Sequence, residues 1–429
     1  MKPFLTKLRK IFLTPLGTRM SKEERAQSRG VALLMVMISM ILVTSIIIDL
    51  AHDEQVRYQL AVNTRDSIKA QALAEGALNW GLVLLTIQDL LQDKIAQLAA
   101  VPGSGATMPA FTVWQLLPLD SDKLKTLVNG QVETIFFGRR EGREGEKQRS
   151  SDSTEGGFGG FDGTFHIEVV DEESKISLQG FEAPTETRGT IRRLLASLTF
   201  PERYDDIFTS GGFDQKVDRL SVIANLLDWV KPEDLRSDSY EDLATKIPGR
   251  FGSGSRRDPY SDDKGVVPKG AFFDSMGELR LVHGVTDEFE QAFFDAITIY
   301  GQGGKINILS AKDQVVEALM RFCALNNKDP HFANLNFADE MLKKWKDWPN
   351  SGSMSVTGFL EFLKSNELQV DDAECKKVID GVKSLTFTIT AKATVPSCSK
   401  QPCNSVTRTL TLVARMYKGL LNKYYFRSR

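Results

Sequence analysis

The longest uninterrupted hydrophobic pattern lies near the start of the chain. Residues 31–48 read VALLMVMISMILVTSIII, without a single charged side chain. At ~1.5 Å per residue, a helix of that length nearly crosses the ~30 Å hydrocarbon core of a bilayer. Beyond it, residues 52–100 contain no proline. Val56, Leu60, Ile68, Leu73, Leu78, Leu82 and Leu85 recur mostly at three to five residues, which predicts one apolar helix face. Pro102-Gly103 ends the pattern. Unbroken from Val31, this helix would run for roughly 70 residues, about 100 Å.

Further along, the period changes. Residues 111–119 and 131–137 are apolar and β-branched between turn signals, and predict strands. Residues 138–163 (GRREGREGEKQRSSDSTEGGFGGFDG) are polar, charged and glycine-rich, and predict a loop. They have no G-K-[ST] ending and open no helix, so they are not a phosphate cradle. Between about 189 and 379 the pattern is mostly helical, with helices predicted over 190–198, 220–230, 275–281, 288–297, 311–325, 336–346 and 356–365. Lys175-Ile176 and Lys305-Ile306 each precede helical stretches and hint at a degenerate duplication. The chain ends in alternating patterns over 385–395 and 406–416, which predict two more strands. The fold class is therefore α+β: a long N-terminal helix, an antiparallel sheet and a large inserted helical region.

Charge sets the orientation of the first helix. Lys2, Lys7, Arg9, Lys10, Arg19, Lys22, Arg25 and Arg29 precede the apolar run, so that flank should stay cytoplasmic and everything after Leu50 should lie on the far side of the membrane. A secretory signal peptide fits less well, because no small-residue cleavage pattern closes the apolar run at Asp49. Arg29-Gly30 stands directly before the run, in the order of a prepilin leader: basic segment, glycine, then a helix that survives cleavage. Cleavage would fall between Gly30 and Val31, and Met20 offers an alternative start with a shorter leader.

Composition adds limits. The 429 residues leave room for two or three domains, and a net charge of -2 gives no basic excess for nucleic acid. The four histidines, His52, His166, His283 and His331, share no metal-ligand spacing, and no G-x-S-x-G occurs. Cys398 and Cys403 sit in PSCSKQPC between the two final strands, where a disulfide would clip the hairpin loop. A bridge between Cys323 and Cys375 is also open, since the sequence alone does not place those two together. Asp228, Glu233, Asp234, Asp238 and Glu241 form one acidic cluster, and Asp258, Asp262 and Asp263 another. Either could supply the hard oxygens calcium needs, or be a solvated acidic loop. Leu281-Val282-His283-Gly284-Val285 is similar to the turn of a helix-hairpin-helix, but reads better as a tight turn between small helices.

Six segments in order resemble one family. They are ALAEGAL at 72–78, FHIEVVDEESKISL at 165–178, LLDW at 226–229, Pro259-Tyr260, FDSMGELRLVHGV at 273–285 and IYGQGGKINILSA at 299–311. The resemblance is to the K-type minor pseudopilins of type II secretion systems (general secretion pathway protein K), over nearly the whole chain. It implies a leader of residues 1–30, a pilin helix over 31–100, pilin-like strands over 101–188, an inserted α-domain over 189–380 and closing strands over 381–429. It also implies a non-enzymatic protein of the inner membrane, single-pass, with its bulk in the periplasm. Implied partners are minor pseudopilins of the I and J types, the major pseudopilin, the prepilin peptidase and the inner-membrane assembly platform. Met35, Met37, Ile38, Ile41, Leu42 and Ile46 would pack the helix in the fibre. Met35 stands where major pilins carry a glutamate, as suits a subunit with no neighbour above it. Val31 stands where phenylalanine is usual for the methylated first residue. The resemblance also implies calcium in the helical domain, although Lys231 stands where family members often carry an acid. A minor pilin of a type IV pilus and a membrane-anchored hydrolase or binding protein are the alternatives.

Overall fold

The structure is a computed structural model that describes residues 22–99, 114, 119–122, 124, 163–179, 185–208, 217–237, 251–260, 266–301, 305–324, 335–348, 356–380, 384–397, 404–417 and 420–429. It divides into two compact units. One comprises Met1–Ile68 and Ser397–Ser405, the other Lys69–Pro396 and Val406–Arg429.

The first helix, α1 (Lys22–Ala99), is one continuous element. It begins before Val31, because nothing between Lys22 and Gly30 breaks it. Its polar interior residues do not compete with the helix. The hydroxyls of Ser39, Thr64 and Thr86 donate to the carbonyls of Val36 (2.9 Å), Leu60 (2.8 Å) and Leu82 (2.8 Å), three or four residues back.

In the second unit, α1 covers a four-stranded sheet. Its strands are β1 (Thr164–Asp171), β8 (Thr386–Ser397), β9 (Asn404–Tyr417) and β10 (Leu420–Ser428), in the order β1-β8-β9-β10. β1 runs antiparallel to β8 with Ile167 opposite Ala391, and β10 antiparallel to β9. The alternating pattern of β8 places Phe387, Ile389, Ala391, Ala393 and Val395 on the helix side, joined by Leu410, Leu412, Ala414 and Met416 of β9.

The helix face that meets this sheet keeps Leu73, Leu78 and Leu85 of the expected set but not its N-terminal members. Val56, Leu60 and Ile68 are exposed; the buried stripe is Ala70, Leu73, Ala74, Ala77, Leu78, Gly81 and Leu85. Small residues win here because they let the helix backbone approach the sheet. A Cβ on Gly81 would stand 3.0 Å from Cγ2 of Ile389 and 3.5 Å from Cγ2 of Ile167. The ALAEGAL segment supplies four of the buried positions and turns Glu75 and Gly76 outward.

Between β1 and β8 the chain makes a helical region with its own core. In chain order it holds β2 (Ile176–Ser177), α2 (Thr185–Thr199), α3 (Arg219–Val230), β3 (Leu235–Ser237), β4 (Phe251–Ser255), α4 (Asp287–Phe293), β5 (Ile297–Thr298), β6 (Ile306–Asn307), α5 (Asp313–Cys323), α6 (Leu335–Lys346), α7 (Val356–Ser365), α8 (Asp372–Val378) and β7 (Ile379–Asp380). β2 pairs in parallel with β5, and β6 in parallel with β7. The two Lys-Ile segments thus open two modules of one design, a short strand, helices, and a short parallel return strand. Ser177 and Asn307 even share a local bond: each side-chain oxygen accepts from the backbone N–H two residues on, at 3.3 and 3.1 Å.

Several expectations are corrected. The helix expected over 288–297 stops at Phe293, and β-branched Ile297 and Thr298 form β5 instead. Residues 275–281 form a 3-10 helix, Met276–Leu281. Trp114, inside an expected strand, is helical and stacks edge-on against Phe387 at 5.0 Å. The strand expected over 131–137 lies outside the described residues, as does the loop over 138–163 apart from Gly163. Cys323 and Cys375 form a disulfide with their Cα atoms 5.1 Å apart, pinning the end of α5 to α8. Cys398 and Cys403 lie outside the described residues.

Candidate functional site

Three places bear on function: the apolar half of α1, the junction where the sheet meets the helical region, and the acidic ribbon after α3.

In the first, Met37, Ile38, Ile41, Leu42 and Ile46 are between 49% and 65% exposed, and Met35 is half-buried. Leu33, Leu34, Val36, Met40, Val43, Ile47 and Ile48 are also exposed, so apolar side chains ring the helix on all sides. A surface like this needs lipid or other apolar helices around it. The stretch is long and apolar enough to cross a membrane. Gly30 and Val31 lie just before it, in helical backbone.

The junction is built from three successive acids. Asp171 ends β1 and caps the 3-10 turn Glu172–Ser174, accepting from the backbone N–H of Glu173 at 2.9 Å. Its Oδ2 also accepts from Asn307 Nδ2 at 3.0 Å and from the hydroxyls of Ser310 and Ser384. Glu172 accepts from Lys175 at 2.9 Å, from Thr388 at 2.7 Å and from the hydroxyl of Thr298. Glu173 accepts from the backbone N–H of Leu385 at 2.8 Å. One short turn therefore touches β1, β8, β5, β6 and the entry to β8. Burial pushes the Asp171 carboxyl up, against the pull of Ser310 and Ser384. Burial also raises Glu173 to about 7, with the Leu385 N–H opposing it and the Asp171 charge adding to it.

The Asp171–Ile176 stretch of the resembling segment 165–178 thus gains a physical meaning: it is the knot that joins sheet to helical region. Sequence reading quoted these residues but assigned them no role. The available signal was three acids directly after an alternating strand, a costly arrangement unless donors wait for each.

Three more of the resembling segments meet around Trp229. Its Nε1 donates to Glu278 Oε1 at 3.0 Å, and its ring lies 5.9 Å from that of Tyr260. The Tyr260 hydroxyl accepts from the His283 N–H at 3.0 Å, and Asn225 Nδ2 donates to the His283 carbonyl at 3.0 Å. Gly284 turns the chain at φ +91°, where a Cβ would stand 2.8 Å from Cγ2 of Val222. This is the tight turn read from the sequence, packed inward.

The acidic ribbon is β3 paired with β4. Asp228, buried, accepts from the Ser237 N–H at 3.0 and 2.9 Å and from the Ser237 hydroxyl at 2.5 Å. Asp234 accepts from the Ser255 hydroxyl at 2.9 Å, and Asp258 from the Ser255 N–H at 2.9 Å. Glu233 is exposed. Asp238, Asp262 and Asp263 lie outside the described residues, as does Glu241. Among the described residues, no three His, Cys, Asp or Glu side chains are grouped to hold a metal.

No family model and no curated protein matches the sequence. Among solved structures, the chain is similar to one in the crystal structure of the GspK-GspI-GspJ complex from the type 2 secretion system of enterotoxigenic Escherichia coli. Identity is 16%, the match covers 63% of this chain and 82% of that one, and the TM-score is 0.41.

Proposed function

We propose that the chain is a K-type minor pseudopilin of a type II secretion system, anchored by α1 in the inner membrane with its bulk in the periplasm. Its role is structural rather than catalytic: it joins minor pseudopilins of the I and J types at the tip of the pseudopilus, where it starts and caps the fibre. The observation that supports this best is the composition of α1. One unbroken helix has an apolar surface all round at Leu33–Ile48 and a stripe of small residues against the sheet at Ala70–Leu85. An anchor alone needs the first half; a subunit whose helix serves both as anchor and as the spine of a folded head needs both. The ordered segments 165–178, 226–229 and 273–285 also support the reading, because each of them holds a joint of the helical region.

Met35 fits the tip position. A glutamate there would need a partner amine from a subunit above, and a buried carboxylate without one is expensive in a membrane. The test is genetic. Deleting the gene in its host should abolish export of type II substrates to the medium while leaving surface pili and twitching intact. Loss of pili with normal export would overturn the secretion reading in favour of a pilus subunit.

A further inference from the structure

The ribbon after α3 holds fixed positive charges where the family resemblance would place a metal ion. Lys231 follows α3 directly, and its side chain is 2% exposed, as is that of Asp228. The Lys231 ammonium lies 3.0 Å from Asp228 Oδ1 and donates to the Ser237 hydroxyl at 3.2 Å. Ser237 in turn places its own N–H and hydroxyl on Asp228. A second cation closes the other side. Arg256, also buried, donates through Nη1 to the Lys231 carbonyl and lies 3.4 Å from the Asp228 carbonyl.

Calcium is held by six to eight oxygens at about 2.3–2.6 Å. Here the Asp228 carboxylate is taken by Ser237 and an ammonium, and both neighbouring carbonyls face a guanidinium. A divalent ion at Asp228 would stand against two buried cations. Among the described residues, the donor set at Asp228 does not fit the metal.

We infer that Lys231, with Arg256, does the work of a bound divalent cation in this chain: it ties the end of α3 to the β3–β4 ribbon, so that this part of the fold forms without calcium. A protonated amine substitutes for a metal in drawing a carboxylate, a hydroxyl and two turns of backbone to one point. The difference is that it is covalently part of the chain, so its presence does not depend on the ion content of the compartment. The inference rests on the pseudopilin reading for the expectation of a metal here, while the Lys231 and Arg256 geometry and the unfolding experiment below are tested apart from export.

The experiment is thermal unfolding of the full chain in detergent, followed by tryptophan fluorescence, to which Trp229 contributes along with the other four tryptophans. The probe is calcium chloride against EGTA. The expected result is a midpoint unchanged within about 1 °C, since an ion that does not bind the folded state cannot shift its stability. A saturable rise of several degrees with calcium would overturn the inference. Lys231→Met keeps the stem and removes the charge. It is expected to lower the midpoint by at least about 4 °C in EGTA, because it leaves Asp228 buried without its cation. An unchanged midpoint in that variant would equally overturn it. If the variant does not fold, the calcium titration of the wild-type chain still decides.

Discussion

The amide of Asn307 donates to Oδ2 of Asp171 at 3.0 Å across 136 residues of sequence, and that bond links the second helical module to the last residue of β1. Ser310 and Ser384 converge on the same oxygen. Removing Asp171 takes the acceptor from four donors in a buried site, the Glu173 N–H among them, whereas removing Asn307 takes away one of several partners. Asp171→Ala is therefore expected to cost about 2–4 kcal/mol and Asn307→Ala about 1 kcal/mol. The effects should be non-additive in the double variant, because the two residues share one bond. Urea midpoints of the four chains check this, and equal costs for both single variants would contradict the knot.

Glu173 makes the same junction sensitive to pH. Its folded value of about 7 lies above the ordinary 4.5. Between those values the folded chain holds a proton that the unfolded chain has released, so stability falls as pH rises through that window and is flat above it. Asp171 is shifted in the same direction. Glu173→Gln stays neutral and should flatten the Glu173 part of this slope. Melting midpoints between pH 4.5 and 7.5 for both chains test the sign; a wild-type midpoint that climbs over the whole window would contradict it.

The disulfide between Cys323 and Cys375 closes a loop of 52 residues. On the chain-entropy model its loss costs about 4 kcal/mol. The joint Cys323→Ser, Cys375→Ser variant should melt well below the oxidised chain, and added reductant should have little further effect on it through this pair. The melting curve in and out of reductant checks both points.

At Gly284 the backbone lies at φ +91° and the space for a Cβ is already filled by Val222 and Val217. Gly284→Ala is expected to destabilise by about 1–3 kcal/mol. By contrast, at Gly76 a Cβ would meet nothing within 4 Å. Gly76→Ala should therefore hold or slightly raise stability, as alanine is the better helix residue. A comparison of the two by urea midpoint is internally controlled.

Much of this architecture was legible in the sequence. α1 was, because residues 31–48 carry no charge and residues 52–99 no proline. So were β8 and β9, whose residues alternate well, and α7, which spans Val356–Ser365 as expected. β10 was not legible. Its residues, LLNKYYFRS, are mostly exposed on both faces, so no alternation marks them. Ile297 of β5 was misread as the end of a helix because two residues of strand leave no period to detect. The stripe of α1 against the sheet was read only in part: Leu73, Leu78 and Leu85 were found, but Ala70, Ala74, Ala77 and Gly81 pack by being small, and a search for large apolar residues passes over them. The Asp171 knot and the Cys323–Cys375 pair were hidden for one reason: their partners come from remote parts of the chain, and only the fold brings them together. Lys231 was visible as an odd residue in an acidic loop, but its role required seeing the ammonium on Asp228.

The most direct test of the pseudopilin account is the intact mass of the full chain expressed with and without a prepilin peptidase. The account predicts a mass loss that places the new N-terminus at Val31, abolished by Gly30→Leu. An unchanged mass, with the same peptidase cutting a control prepilin, would contradict it and leave α1 as the anchor of some other membrane protein.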